Sequence, residues 1–416
     1  MTSTADRPTG IERNFVKMGA LRLLFWTFLM SGVVVPFFRE WGHLSYTQIF
    51  LLQAWFMLMN FLLEVPTGAV ADRFGRKASV AAGCFLMAAA SLVYGSVPML
   101  AIFVLGEAVF AAALTLVSGA DEALVYDSLK ALGRESEATR IISRLEAMKL
   151  TGIFGGALLG SLVASRFGVR APMLLQAIPM ALSGIVALRL VEPPRGGAAA
   201  SQDGGYLRLV SGGLEHFRHQ PELRALAIDQ VANVSVSWLV LWLYQPQLMR
   251  VGVPLAAFGA VHAAMGLGQV LLLARLATVE RAVGGSVRLI RLTAFVPALA
   301  TLALAGTTGA AWSILLIVLA ATAGMGRPPL FSAAINSRIP SEKRATVLSA
   351  VSASRTLTIG LLYPVVGATL DRSLTATLVL VGVLGLAAAL LAAAPARVLV
   401  PVASPGSAPS PATSQR

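Results

Sequence analysis

Cysteine is almost absent. The single thiol, Cys84, lies inside an apolar run, which excludes a disulfide framework or a cysteine metal site within the chain. Charge is scarce as well: 13% of the 416 residues are Asp, Glu, Lys or Arg and 56% are hydrophobic, whereas a soluble protein carries about a quarter charged residues. Mean hydropathy is +0.75. The apolar runs lack period-two alternation, which excludes a β-barrel. The four histidines, His43, His216, His219 and His262, are scattered. His216 and His219 have helical spacing, but in a polar stretch that reads as a solvated surface. No metal-ligand cluster, phosphate loop or nucleophile elbow can be assembled, so neither a metal centre nor an enzyme is expected. Acids are few, 20 against 33 Lys and Arg, for a net charge of +13. This excess does not point to nucleic acid, because the cations sit in alternate loops between apolar runs, as membrane topology requires. No signal peptide is evident. Residues 1–18 are polar, with Arg7, Arg13 and Lys17, and the run that follows is too long for a signal-peptide core and has no small-residue cleavage site.

What is present is a series of apolar runs, each long enough to cross a bilayer. They predict an all-α integral membrane protein of about twelve transmembrane helices. The first six run roughly over Ala20–Phe38, Thr47–Thr67, Ala78–Tyr94, Met99–Leu124, Ala147–Ser165 and Pro172–Leu190. The second six run roughly over Ala225–Leu248, Pro254–Leu276, Leu289–Ala305, Ala311–Leu330, Thr346–Leu370 and Ala376–Ala394. Between them lies a polar Gly/Pro-rich linker with a short amphipathic helix expected over Tyr206–Phe217. The expected division is an N-terminal segment (1–18), a six-helix bundle (19–191), a linker (192–224), a second six-helix bundle (225–397) and a disordered tail (398–416). Of the 33 Lys and Arg, roughly 28 fall on one face and about five (Arg39, Arg166, Arg170, Arg250, Arg372) on the other. That asymmetry places both termini in the cytoplasm. Two halves of this kind rock about a midplane site.

The stretch Gly68–Lys77, G-A-V-A-D-R-F-G-R-K, is a short basic loop pinned between the second and third spans. Gly68 is expected to permit close helix approach and Gly75 a tight turn. The loop resembles the cytoplasmic signature of the major facilitator superfamily, G-x-x-x-D-R-x-G-R-K, with Gly68, Asp72, Arg73, Gly75, Arg76 and Lys77 in register. The resemblance implies a gate. Asp72 would dock at the start of the eleventh helix, near Ala345-Thr346, where a helix N-terminus attracts an anion. Arg76 would pair with Asp121, Glu122 or Asp127. The fifth span also resembles the family's antiporter motif through Gly152, Gly156 and Gly160, although Ala157 stands where Pro is usual and Ser161 where Gly is usual. Small residues at matching places in the eleventh span, with Pro364 and Gly367, read as helix packing.

Ionisable groups inside apolar spans need a reason, since each costs about 2.5–3.5 kcal/mol to insert. Glu107 lies about nine residues, or about 14 Å, into the fourth span, so it is either a proton site or a hydrogen-bonded structural group. Glu64 shares a helical face with Gln53 and Asn60 and either binds a proton or anchors the gate. Asp229, Asn233 and Ser237 form a polar stripe on the seventh span, and Asp229 is the third proton candidate. His262 and Gln269 lie in the eighth span, and Arg355 in the eleventh. Arg355 either neutralises an anionic group or snorkels to the surface. Trp26, with Asn60, Asn233, His262, Gln269 and Arg355, is a candidate for the substrate cavity. Phe25, Phe56, Trp238 and Trp242 either line that cavity or face lipid. Many drug–proton antiporters of the superfamily carry an Arg in the fourth helix and an acid in the first, whereas this chain has Gly106-Glu107 in the fourth and no acid in the first.

These readings imply a secondary transporter of the cytoplasmic membrane, a monomer whose partners are a small molecule, protons and the lipid bilayer. The expected activity is export of a partly apolar molecule by proton antiport, with no cofactor beyond the proton gradient. Import by symport or facilitated diffusion is the alternative.

Overall fold

The computed structural model describes residues 7–194, 220–328, 339 and 341–391. The expected amphipathic helix with His216 and His219, and the C-terminal tail, lie outside the described residues. Twelve principal helices are described. They are α1 (Arg7–Phe25), α2 (Tyr46–Phe74), α3 (Arg76–Tyr94), α4 (Leu100–Ala131), α5 (Ala138–Phe167) and α6 (Arg170–Leu188, bent at Gln176), followed by α7 (Pro221–Arg250), α8 (Leu255–Ala274), α9 (Ser286–Gly306), α10 (Ala310–Met325), α11 (Ser341–Arg372) and α12 (Leu374–Leu391). A short helix, Leu276–Val283, joins α8 to α9. Nine stretches among the described residues are long and apolar enough to cross a membrane. The helices form two six-helix bundles, and α2–α11 and α5–α8 make the broad contacts between them.

One membrane face carries the Gly68–Lys77 hairpin and is called the hairpin face below. The α2 helix is 29 residues long, or about 43 Å, so it projects beyond the hydrocarbon at this face. Ser45 starts it with a capping box: its hydroxyl accepts from Gln48 N at 3.1 Å while the Gln48 side chain accepts from Ser45 N at 2.9 Å. Gly75 ends it at φ 103°, a conformation that disfavours any residue with a Cβ, and α3 starts at the next residue.

The first span departs from the expected continuous helix over Ala20–Phe38. α1 begins at Arg7 and stops at Phe25, and the chain continues as a 3-10 turn (Leu29–Gly32), one helical turn (Val34–Pro36) and a π turn (Phe37–Trp41). Irregular backbone at membrane depth is tolerated where protein satisfies its polar groups. Here Gln245 Oε1 accepts from Val35 N at 2.9 Å and Gln176 Oε1 from Met30 N at 3.3 Å.

The fifth- and eleventh-span small residues each serve a different neighbour. Gly152, Gly156 and Gly160 receive the backbone of Leu23–Leu29, and a Cβ on Gly160 would overlap the Leu29 carbonyl oxygen. Gly259 of α8 sits as tightly against the Ala157 carbonyl. Gly367 of α11 packs on α2, where a Cβ would stand 2.9 Å from Thr47 Cα. Pro364 lies one turn earlier on the same helix. Gly155 of α5 has open space where its Cβ would be. Gly160→Ala is therefore expected to lose about 1–3 kcal/mol by overpacking and to lower the unfolding temperature. Gly155→Ala, which gains helix propensity, is expected to leave it unchanged or slightly raised. Equal unfolding temperatures for the two variants in lipid nanodiscs would contradict this packing.

Candidate functional site

Among the described residues, one cavity lies between the bundles and another lies chiefly within the first bundle, with Trp242 of the second on its wall. The larger, about 720 Å³, is a vestibule lined by residues of both, among them Trp26, Asn60, Glu64, Gln269 and Arg355. It opens toward the hairpin face: Glu64, Glu122 and Glu146 on its wall are exposed or partly so, and all three lie in the halves of α2, α4 and α5 nearer that face. Lys149 Nζ lies 4.6 Å from the Trp26 ring centre and 3.3 Å from Glu146. Gln269 Nε2 donates to Met325 O at 2.8 Å, and Asn60 Nδ2 donates to Phe56 O at 3.0 Å.

The smaller cavity, about 220 Å³, lies deeper and is the inner pocket below. Phe56 lines both and forms part of the wall between them. Glu107 is 5% exposed and forms part of the pocket lining. It accepts from Gln53 Nε2 at 2.7 Å, and the Tyr94 hydroxyl is its other neighbour. The Tyr94 ring reaches this position because Gly106 leaves room for it: a Cβ there would stand 2.6 Å from the ring. Glu107 is seven residues past the start of α4, so its depth is about 11 Å. Trp242 reaches the pocket from α7. Of the aromatic candidates, Trp26 and Trp238 line the vestibule, Phe56 and Trp242 the inner pocket, and Phe25 is buried in the core of the first bundle.

On the opposite face the bundles are sealed. Asp371, at the end of α11, accepts from Tyr46 N at 2.7 Å, Thr47 N at 2.9 Å and Thr47 Oγ1 at 2.6 Å, placing an anion on the N-terminus of α2. Gln245 and Tyr244 of α7 both donate to Ser31 O at 3.1 Å. His262 belongs to this seal, with Nδ1 3.1 Å from the Tyr244 hydroxyl, and lines neither cavity. Asp371→Ala is expected to loosen the seal and favour the alternative opening, so that a cysteine placed in the vestibule reacts more slowly from the hairpin face. Unchanged labelling rates would show that this carboxylate does not bias the equilibrium.

At the hairpin itself, Arg76 donates to Ala123 O at 2.7 Å and pairs with Asp127. Asp121 is turned elsewhere: it accepts from Arg22 Nε at 2.9 Å, and Arg22 Nη1 reaches Glu146 at 2.8 Å. Arg22 and Asp121 are both buried, and buried charges are held in pairs. The Glu192 carboxylate accepts from Arg76 N at 2.9 Å and Lys77 N at 2.8 Å, capping α3. Arg73 stacks its guanidinium 5.5 Å from the Phe74 ring. Gly68 does not serve close approach here, since nothing lies within 4 Å of where its Cβ would be among the described residues. The side chains at the start of α11, toward which Asp72 is expected to point, lie outside the described ones.

The second bundle holds a matching pair. Asp229 of α7 binds Arg327, just past α10, and accepts from Asn233 Nδ2 at 2.6 Å. Arg327 also donates to Ile290 O at 2.6 Å and Thr293 Oγ1 at 3.0 Å. The stripe Asp229–Asn233–Ser237 is therefore buried between helices, and none of its members lines either cavity. The two pairs occupy corresponding places with the charges exchanged, Arg on α1 with Asp on α4, and Asp on α7 with Arg after α10. Arg22 and Arg327 are absent from the candidates drawn from sequence. Each lies inside or at the edge of an apolar run, which is the signal that could have found it. Among the described residues, no group of three or more His, Cys, Asp or Glu is placed to hold a metal.

The family model of the Major Facilitator Superfamily matches residues 18–362. No curated protein sequence matches the chain. Among solved structures, the nucleoside transporter NupG superposes with a TM-score of 0.71 at 12% identity, covering 90% of this chain and 97% of that one. A bacterial homologue of the human lysosomal transporter Spinster, inward-facing and unoccupied, superposes at 0.69 with 17% identity, covering 95% and 98%. Its inward-facing, occupied form superposes at 0.70 with 15% identity, covering 92% and 96%. With the fold, the paired bundles and the signature hairpin, these matches establish that the chain belongs to the major facilitator superfamily.

Proposed function

We propose that the protein is a secondary active transporter that exports a small, partly apolar molecule across the cytoplasmic membrane in exchange for protons. In this reading both termini and the hairpin face are cytoplasmic, so the structure is the inward-open state. The observation that carries it is Glu107, a buried carboxylate in a pocket walled largely by aromatic rings, with Phe56 between it and the open vestibule. A proton taken there from the far side, when the seal at Asp371 opens, is released into the vestibule after closure. Glu64, on the vestibule wall, is the secondary proton candidate. Asp229 is a weaker one, because Arg327 already neutralises it. Asn60, Trp26, Gln269 and Arg355 line the path by which substrate enters. Asp72, Arg73, Gly75, Arg76 and Lys77, with Asp127 and Asp121 on α4, form the latch that closes the hairpin face in the alternate state.

Proteoliposomes under an imposed pH gradient test this. Substrate movement against its own gradient, driven by protons moving the other way, supports antiport. Flux that ignores the pH gradient supports facilitated diffusion. A nutrient importer is the second reading, favoured by the amide and hydroxyl groups of the vestibule and by the likeness to a nucleoside transporter; protons and substrate moving in the same direction would establish it.

A further inference from the structure

The inner pocket has a one-sided chemistry. Among the described residues, Glu107 is the only carboxylate on its wall, and no Lys, Arg or His lines it. Six aromatic side chains, Phe28, Phe38, Phe56, Tyr94, Phe110 and Trp242, surround the remaining space. Three of them are arrayed about Phe110, with ring centres 6.0 Å (Phe28), 6.4 Å (Phe56) and 6.2 Å (Tyr94) from it. Aromatic faces attract cations, most strongly where water is excluded. Apart from the Ser31 hydroxyl, the polar side chains of the wall are already engaged. Gln53 serves Glu107, Gln176 bonds Met30 N and lies 3.4 Å from Ser91 Oγ, and Ser31 O accepts from Tyr244 and Gln245. A polyol or an anion would find few donors to replace its water, whereas a cation finds a carboxylate and several ring faces.

We propose that the inner pocket binds a compact organic monocation, an ammonium bearing apolar substituents, with Glu107 as its counter-ion and the rings as its cage. This deepens the transport reading and rests on it. Glu107 holds one positive charge at a time, a proton or the ammonium, so the two compete for one carboxylate. Exchange is then one for one, and acidification weakens cation binding. A neutral or anionic molecule of the same shape gains nothing from the carboxylate.

Equilibrium dialysis on the purified full-length protein in lipid nanodiscs tests the proposal with three probes of similar size: benzyltrimethylammonium, neutral N,N-dimethylbenzamide and anionic phenylacetate. The cation is expected to bind at least about tenfold more tightly than either of the others, and more weakly as pH is lowered. In Glu107→Gln, its advantage over the neutral probe is expected to shrink to within roughly twofold. Equal or tighter binding of the neutral or anionic probe, or no saturable binding of any probe, overturns the proposal; this comparison needs only the wild-type protein. A cation preference that survives in folded Glu107→Gln also overturns it. Failure of the transport reading is separate: it would appear as selective cation binding without flux of the same cation in proteoliposomes.

Discussion

Glu107→Gln is expected to abolish accumulation driven by a pH gradient while leaving substrate-for-substrate exchange intact at saturating substrate. Each pH unit supplies about 1.4 kcal/mol per proton exchanged. A gradient of two units therefore sustains roughly a 100-fold concentration ratio for one-for-one antiport. The variant, whose amide carries no exchangeable charge, should hold a ratio near unity. The residue's neighbours support the choice: Gln53 Nε2 at 2.7 Å and the Tyr94 hydroxyl can hydrogen-bond either a carboxylate or a carboxylic acid. Asp121 and Asp229 differ, because each is already bound to a buried arginine, Arg22 and Arg327 respectively. Full accumulation in folded Glu107→Gln would move the coupling site to another carboxylate, with Glu64 the next to test.

The second large effect is on stability. Asp229→Ala is expected to destabilise the second bundle by about 3–5 kcal/mol, because it removes the Asp229 carboxylate from the buried Arg327 guanidinium. That cation is 1% exposed, and the Ile290 carbonyl and the Thr293 hydroxyl, which also accept from it, carry no charge to offset the loss. Replacing both partners with apolar residues of similar volume, Asp229→Leu with Arg327→Met, should recover most of the loss, since the double change removes both charges of the pair. Thermal unfolding in nanodiscs checks this. A single variant that melts with the wild type, or a double variant worse than the single, would show that the pair does not stabilise the α7–α10 contact.

What the sequence made legible follows from which forces are local. Apolar runs and alternating loop charge report directly on helix crossings, so each principal helix has a counterpart among the expected spans, but α1 lies 13 residues earlier than expected and α4 and α5 run seven and nine residues further at their hairpin-face ends. The hairpin was legible because Gly75 needs a positive φ and because cations must stay at one face. The break after Phe25 was not legible. Its freed amides are satisfied by Gln176 and Gln245, 146 and 210 residues away from the amides they serve, and no local pattern carries that information. Arg22 and Arg327 were missed for the same reason: near a span end an Arg reads as a topology marker, and only the fold brings Asp121 or Asp229 to it. Glu192 read as linker, yet it caps α3. His262 and Asn233 were sensible cavity candidates by depth alone, but helix rotation, which hydropathy fixes poorly, turns them toward Tyr244 and Asp229 instead.

The central claim is that one chamber between the bundles opens at the hairpin face while Asp371 and the α7 side chains close the other. Cysteine chemistry tests this directly, because the single native thiol, Cys84, is fully buried. Ser118→Cys places a thiol on the vestibule wall. A membrane-impermeant maleimide is expected to label it from the hairpin face of sided vesicles, with labelling falling when a pH gradient drives turnover. Labelling from the opposite face alone, or a rate indifferent to turnover, would contradict the account.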